Sequence, residues 1–254
     1  MSKVVILTAD TDVVVIVLGV FDRLLSLNPD LNLWIDFGCG NHKQIISVND
    51  AFIRLGPTRC RALPMFHAIT GCDTVSCFFG KGKRTCWQAM QHCPRVVSAF
   101  SAPAREYSDI NSPVFSAIEE FVIRIYDKYS IEESINTARK NLFRKSTKRM
   151  ETLPPTRDAL FQHTKRAVQQ AHLWRSCLST EIQSLDPQEF GWMWSGSSWT
   201  PKWTTLPEAS VACKTLIRCG CKSRCGTKAC KCTKAGYPCC GLCQCGGLCG
   251  NICS

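Results

Sequence analysis

The sequence predicts an α/β unit at the N-terminus, an α-helical extension behind it and a small irregular metal-cluster module at the C-terminus. Val4 to Leu7 is an unbroken apolar run suited to a buried strand of a parallel sheet, and apolar residues resume after a short acidic turn and continue to Leu25. From Ser112 onward the apolar positions recur at helical spacing. Eleven of the 19 cysteines fall between Cys219 and Cys253, among Lys, Arg and Gly and with almost no apolar residue to build a core.

The turn after the first strand reads Thr8-Ala9-Asp10-Thr11-Asp12. Acids at the carboxyl end of a strand in an open α/β sheet stand where ligands bind, and two carboxylates two residues apart can share a hard cation such as magnesium or manganese. The same pattern also serves as a helix-capping turn. A third acid, Asp73, follows the apolar, helix-like stretch around His67, and that histidine reads as a core residue with satisfied hydrogen bonds. Beyond it, Gly80, Lys81, Gly82 and Lys83 form a Gly-rich basic turn able to bring backbone N–H groups and cations to a phosphate. The turn is no Walker loop, because Arg84 stands where Ser or Thr is needed and no Gly lies five residues before Gly82. Cys72, Cys77, Cys86 and Cys93 lack the paired spacing of a zinc site and read as buried free cysteines.

Ser112-Pro113 opens a helix carrying Val114, Ile118, Phe121, Val122, Ile125 and Tyr129. Ser130 with Glu133 reads as a capping box for the next helix, through Phe143, and a third helix spans about 157 to 178. Between Arg139 and Arg175 ten basic residues face two acids, which fits either a solvated helix surface or an extension of a polyanion-binding face. Trp192, Trp194, Trp199 and Trp203 then alternate with Gly, Ser and Pro in what reads as an extended strap packing its rings on the first domain. The expected boundaries are about 1–100, 101–190, 191–212 for the aromatic linker and 213–254 for the module.

The Cys-rich tail needs a folding force other than hydrophobic burial, and a thiophilic ion supplies one. Disulfides are the alternative. The N-terminus has no secretory pattern and Val13 to Phe21 is too short to span a bilayer, so the expected setting is intracellular and soluble, where thiols stay reduced. The pairs Cys219/Cys221, Cys230/Cys232 and Cys243/Cys245, with Cys225, Cys239 and Cys249, make nine ligands. Nine thiolates saturate three tetrahedral zinc ions if three of them bridge. Cys240 and Cys253 are then spare, and Cys240 is as workable a sixth ligand as Cys239.

The segment from Cys219 to Cys249 resembles a CXC domain of the tesmin/TSO type, over about the last forty residues. That resemblance implies three zinc ions on nine cysteines and contact with duplex DNA. Several members of the family insert a Tyr from the position just before the fourth cysteine, which here is Ala229, while Tyr237 lies in a different loop.

Asp10, Asp12, Asp73 and the Gly80–Lys83 turn, in that order, resemble the later half of PIN-like nucleases of the flap-endonuclease kind. The text around His67-Ala-Ile-Thr-Gly-Cys-Asp73 is similar to that of transposon-associated animal proteins ending in a CXC tail. The resemblance implies carboxylate ligands at Asp10, Asp12 and Asp73 and a DNA-gripping hairpin at Gly80, Lys81, Gly82 and Lys83. The family's earlier Asp and Glu ligands precede the D-x-D strand, where this sequence starts. The expectation is therefore a PIN-like remnant with an incomplete parallel sheet, its catalytic set short of the carboxylates that two-metal hydrolysis needs, or one completed by a protein partner.

The formal net charge is +11, and Lys214, Arg218, Lys222, Arg224, Lys228, Lys231 and Lys234 face Glu208 alone in the tail. Such a patch suits phosphates. The expected function is nuclear binding of duplex DNA through the zinc-cluster tail, in a transposon-derived factor. The rivals are a metal-dependent nuclease and a metal-storing or protein-binding scaffold.

Overall fold

The computed structural model describes residues 2–145, 150–181, 184–205, 217–222, 225, 229–239, 243–246 and 249–251. β1 (Ser2–Thr8) runs parallel to β2 (Leu31–Phe37), with α1 (Thr11–Leu27) as the crossover, and β3 (Gln44–Ser47) pairs antiparallel on the far side of β2. Side chains alternate across such a sheet. Leu33, Ile35 and Ile46 face the helices, whereas Val5, Leu7, Trp34, Asp36 and Ile45 share the opposite face. β1 is an edge strand, and Leu7 is 73% exposed. The expected strand and its parallel partner are present; the expected burial is not, because Val4, Val5 and Leu7 all remain exposed.

α1 starts where Asp10 caps it, its carboxylate accepting the Asp12 N–H at 2.8 Å. The helix packs on α3 (Pro57–Ile69), reached through α2 (Val48–Leu55). Gly19 permits the close approach, since a Cβ there would stand 2.5 Å from Cγ of Pro64.

A second and larger core joins α3, α4 (Lys83–Gln91) and α5 (Pro94–Ala99) to α6 (Pro113–Tyr126), α7 (Ile135–Lys145) and α8 (Arg157–Arg175). Residues on either side of position 100 share it, with Phe100 edge-on to Phe121 at 5.4 Å. Ser112 caps α6 through the Phe115 N–H, as its Ser-Pro start predicts, and Thr156 caps α8 through Ala159.

α7 departs from expectation. Ser130 accepts a bond from the Glu132 amide, and the helix begins only at Ile135. Its N-terminus is held instead by the buried carboxylate of Glu119 on α6, which accepts the Ile135 N–H at 2.9 Å and pairs with Arg157 of α8 at 2.9 Å. A negative group at a helix N-terminus meets orphan donors and the positive end of the dipole.

The aromatic segment is a hairpin rather than an open strap. β4 (Trp192–Trp194) pairs antiparallel with β5 (Trp199–Pro201), and Trp194 meets Trp199 edge-on at 5.3 Å. Buried Arg166 of α8 anchors it, donating to the carbonyls of Gly191 and Lys202 beneath the rings of Trp192 and Trp203.

His163, also on α8, is buried between Phe78 and Ile69, with Nε2 donating to the Ile69 carbonyl at 2.8 Å. Burial lowers its pKa to about 4. The folded state holds the ring neutral while the unfolded chain, with an ordinary value near 6.5, takes up a proton as pH falls. Stability from this group is thus complete above about 6.5 and lost toward about 4. Urea unfolding at pH 5 is expected to yield about 2 kcal/mol less than at pH 7 from this cause. His163→Gln, which keeps a donor but cannot titrate, should flatten that dependence; an unchanged pH profile would contradict the assignment.

Candidate metal centre

The tail gathers its sulfurs without a conventional core. Cys219, Cys225, Cys230, Cys232, Cys239, Cys243 and Cys249 are buried together, with Cys221 and Cys245 packed against them. The only helix described here is α9 (Lys231–Lys234), one turn starting at Cys230. It sets Cys230 and Cys232 inward and leaves Lys231 and Lys234 exposed. Other ties are polar: Thr233 Oγ1 donates to the Cys225 carbonyl, Gln244 N–H to the Cys219 carbonyl at 3.0 Å, and Asn251 Nδ2 to the Tyr237 carbonyl at 2.9 Å.

Sulfur separations identify the chemistry. Cys219 lies 3.7 Å from Cys225, 3.8 Å from Cys239 and 3.9 Å from Cys245, while Cys230 is 3.9 Å from Cys239, Cys232 is 3.5 Å from Cys243 and Cys245 is 3.6 Å from Cys249. A disulfide needs about 2.05 Å. A zinc ion with four thiolates at about 2.3 Å makes a tetrahedron whose edges are about 3.8 Å. The observed contacts are close to that edge length and far longer than a disulfide.

Three sets of four sulfurs lie mutually within 4.8 Å: Cys219, Cys230, Cys232 and Cys239; Cys219, Cys225, Cys239 and Cys245; and Cys219, Cys221, Cys225 and Cys230. They overlap, with Cys219 in all three sets and Cys225, Cys230 and Cys239 each in two, so sulfurs are shared between the sets. Seven of the nine ligands expected from the spacing fall in these sets; Cys243 and Cys249 are in none of them but pack against the group through Cys232 and Cys245. Cys240 and Cys253, and the basic residues Arg224 and Lys228, lie outside the described residues.

Electrostatics favour a cation. The Thr233 amide, with its hydroxyl and the Cys232 amide, brings the Cys230 thiol down to about 6 against the opposing effect of burial, and the Asn251 amide lowers Cys249. Burial pushes Cys225 and Cys239 well up and Cys232 to about 12. Closely packed thiols cannot all ionise without positive charge among them, and a divalent ion supplies it. Asn251 also reaches the Cys239 sulfur at 3.5 Å, and Cys239 N–H bonds its carbonyl at 2.6 Å. Neither Asn251 nor Thr233 carries a spacing signal that would single it out in the sequence.

The acidic turn is arranged differently. Asp10 caps α1, and Asp12 Oδ1 lies 2.8 Å from Nε2 of buried His67, the core histidine expected. Burial and the charge of Lys83 lower the His67 pKa, against Asp12. Asp73 is exposed in the turn after α3, and among the described residues every set of three or more clustered ligand atoms consists of thiols. Lys83 turns inward: its ammonium donates to the carbonyls of His67 and Gly71 and to Thr70 Oγ1, a cation on the C-terminal end of α3. Lys81 lies over the Tyr126 ring at 4.9 Å, with Gly80 at φ +67° and Gly82 capping α4. Cys86 and Cys93 are buried free thiols, Cys72 is half-buried and Cys77 exposed.

Among the described residues no helix is long and apolar enough to cross a membrane. Comparison of the chain with protein-family models, with curated proteins and with solved structures returns no match.

Proposed function

We propose that the protein binds duplex DNA through a zinc cluster at its C-terminus. The observation that supports this is the group of sulfurs at separations a zinc tetrahedron would need, under a cationic skin with Lys222, Lys231 and Lys234 exposed around buried thiols. In this reading nine thiolates hold three zinc ions, and the lysines meet phosphates rather than base edges. The CXC resemblance supports the same partner. Ala229, exposed beside Cys230, offers no ring for insertion into a groove, so affinity comes mainly from backbone charge. A nuclear location and a transposon-derived origin belong to this proposal, as does a vestigial PIN-like unit whose carboxylates now cap and brace helices.

Each lysine that contacts a phosphate adds about 0.9 to the slope of log affinity against log salt. Replacing Lys231 and Lys234 with Gln is expected to lower that slope by about 1.8 with zinc content unchanged. Duplex binding that survives chelation, or that ignores salt, would overturn the proposal. Magnesium-dependent cleavage lost in Asp10→Ala would favour the nuclease instead.

A further inference from the structure

The basic stretch from Arg139 to Arg175 is sorted by the structure into residues already committed and residues held free for a ligand. Arg139 donates to the Pro154 carbonyl, Arg157 to Glu119, and Arg166 to the hairpin. Arg175 binds the Phe100 carbonyl, and Lys165 lies over the Phe161 ring at 4.8 Å. Lys140 and Arg144, by contrast, project into solvent from α7 at i and i+4, on one face of a helix that contains no acid. Like charges so placed repel in isolation, by a few tenths of a kcal/mol.

The zinc module docks at the end of that face. Arg218, next to the ligand Cys219, donates from Nη1 to the Arg144 carbonyl at 3.1 Å and lies 4.8 Å from the Phe143 ring. It thereby satisfies one of the orphan carbonyls of the last turn and meets the negative end of the helix dipole. α7 is thus held by a carboxylate at its N-terminus and a guanidinium from the module at its C-terminus. That clamp sets Arg218 at the Arg144 end of α7, so positive charge continues from the helix onto the module; an acid that meets the helix here, Glu132, accepts from Asn141 Nδ2 at 2.8 Å.

We infer that the DNA contact continues from the zinc module onto α7, with Lys140 and Arg144 as phosphate-binding residues. This rests on the proposed duplex binding and extends it onto a second strip that contains no metal ligand but adds to the module's contact rather than replacing it. The clustered like charges of Lys140, Arg144 and Arg218 are what a run of phosphates neutralises, and counterions released from that run make the contact salt-dependent.

The test is duplex binding of the full zinc-loaded chain, titrated against salt, for wild type, a Lys140→Gln/Arg144→Gln variant and a Lys140→Arg/Arg144→Lys variant. The Gln variant should lose about 1.8 from the salt slope and bind more weakly at every sequence tried, with zinc content unchanged, while the charge-preserving swap restores the wild-type slope. Both side chains are exposed, so the substitutions leave the core alone. A wild-type slope in the Gln variant, with Lys231→Gln/Lys234→Gln still lowering it, overturns the α7 strip and leaves the module's role standing. No chelation-sensitive binding in the wild type overturns both.

Discussion

Chelation under reducing conditions is expected to strip the described residues of the Cys-rich tail of their structure while the helical core around Phe121 and Phe100 remains folded. The module buries sulfur rather than hydrocarbon, and its described helix is a single turn. Structural zinc contributes roughly 10–16 kcal/mol of apparent binding free energy in small metal-folded units, more than the few polar ties of Thr233, Gln244 and Asn251 could replace. Amide hydrogen exchange reads the outcome directly: protection at Cys239 and Gln244 should collapse with the metal, and protection in α6 and α8 should persist. Persistent protection at Cys239 and Gln244 after complete metal removal would contradict a metal-organised tail.

Removing the Glu119 carboxylate should be the most damaging single change in the helical body. Glu119→Ala leaves the Ile135 N–H without its acceptor and the Arg157 guanidinium without its anion, in a place where Glu119 itself is 3% exposed. Breaking one side of a buried ion pair costs about 3–5 kcal/mol. The lower end is expected, because Arg157 is partly exposed and keeps the Ile110 carbonyl and Asn111 Oδ1 as partners. Glu119→Gln, which retains an acceptor for Ile135, should cost less. Equal urea midpoints for wild type and Glu119→Ala would show that α7 is fixed by something else.

Helices whose signals are local were legible in the sequence. Ser112-Pro113 announces α6, the run from Arg157 announces α8, and the D-x-D turn carries its capping reading on its face. α7 was misplaced because its cap comes from Glu119, sixteen residues upstream and on another helix, where no spacing rule reaches. The Trp segment hid a hairpin because its cross-strand pair, Trp194 with Trp199, is bridged by a Ser-Gly-Ser-Ser turn that resembles a linker. An unbroken apolar run such as Val4–Leu7 normally means cover on both faces; here Val4, Val5 and Leu7 remain exposed. In the cluster the cysteine spacing was sufficient to single out a group of thiols able to hold metal, since short loops between paired sulfurs keep them close. Which sulfurs are shared depends on how distant loops fold together, and that only the three-dimensional arrangement reveals.

The N-terminal acids illustrate how one motif serves two ends. Asp10 and Asp12 stand at the carboxyl end of β1, where a ligand site is expected, yet the first caps α1 and the second meets His67. Lys83 of the Gly-rich turn likewise secures the end of α3. The proposed duplex contact is assigned instead to Lys140, Arg144, Lys222, Lys231 and Lys234, all of which are exposed.

The most direct measurement is the mass of the intact native chain, purified under reducing conditions, before and after acid denaturation. Three zinc ions bound per chain, released on denaturation to leave a fully reduced polypeptide, is the result this account requires. A native mass equal to that of the bare chain, or one short by paired hydrogens from sulfur–sulfur bonds, would contradict it.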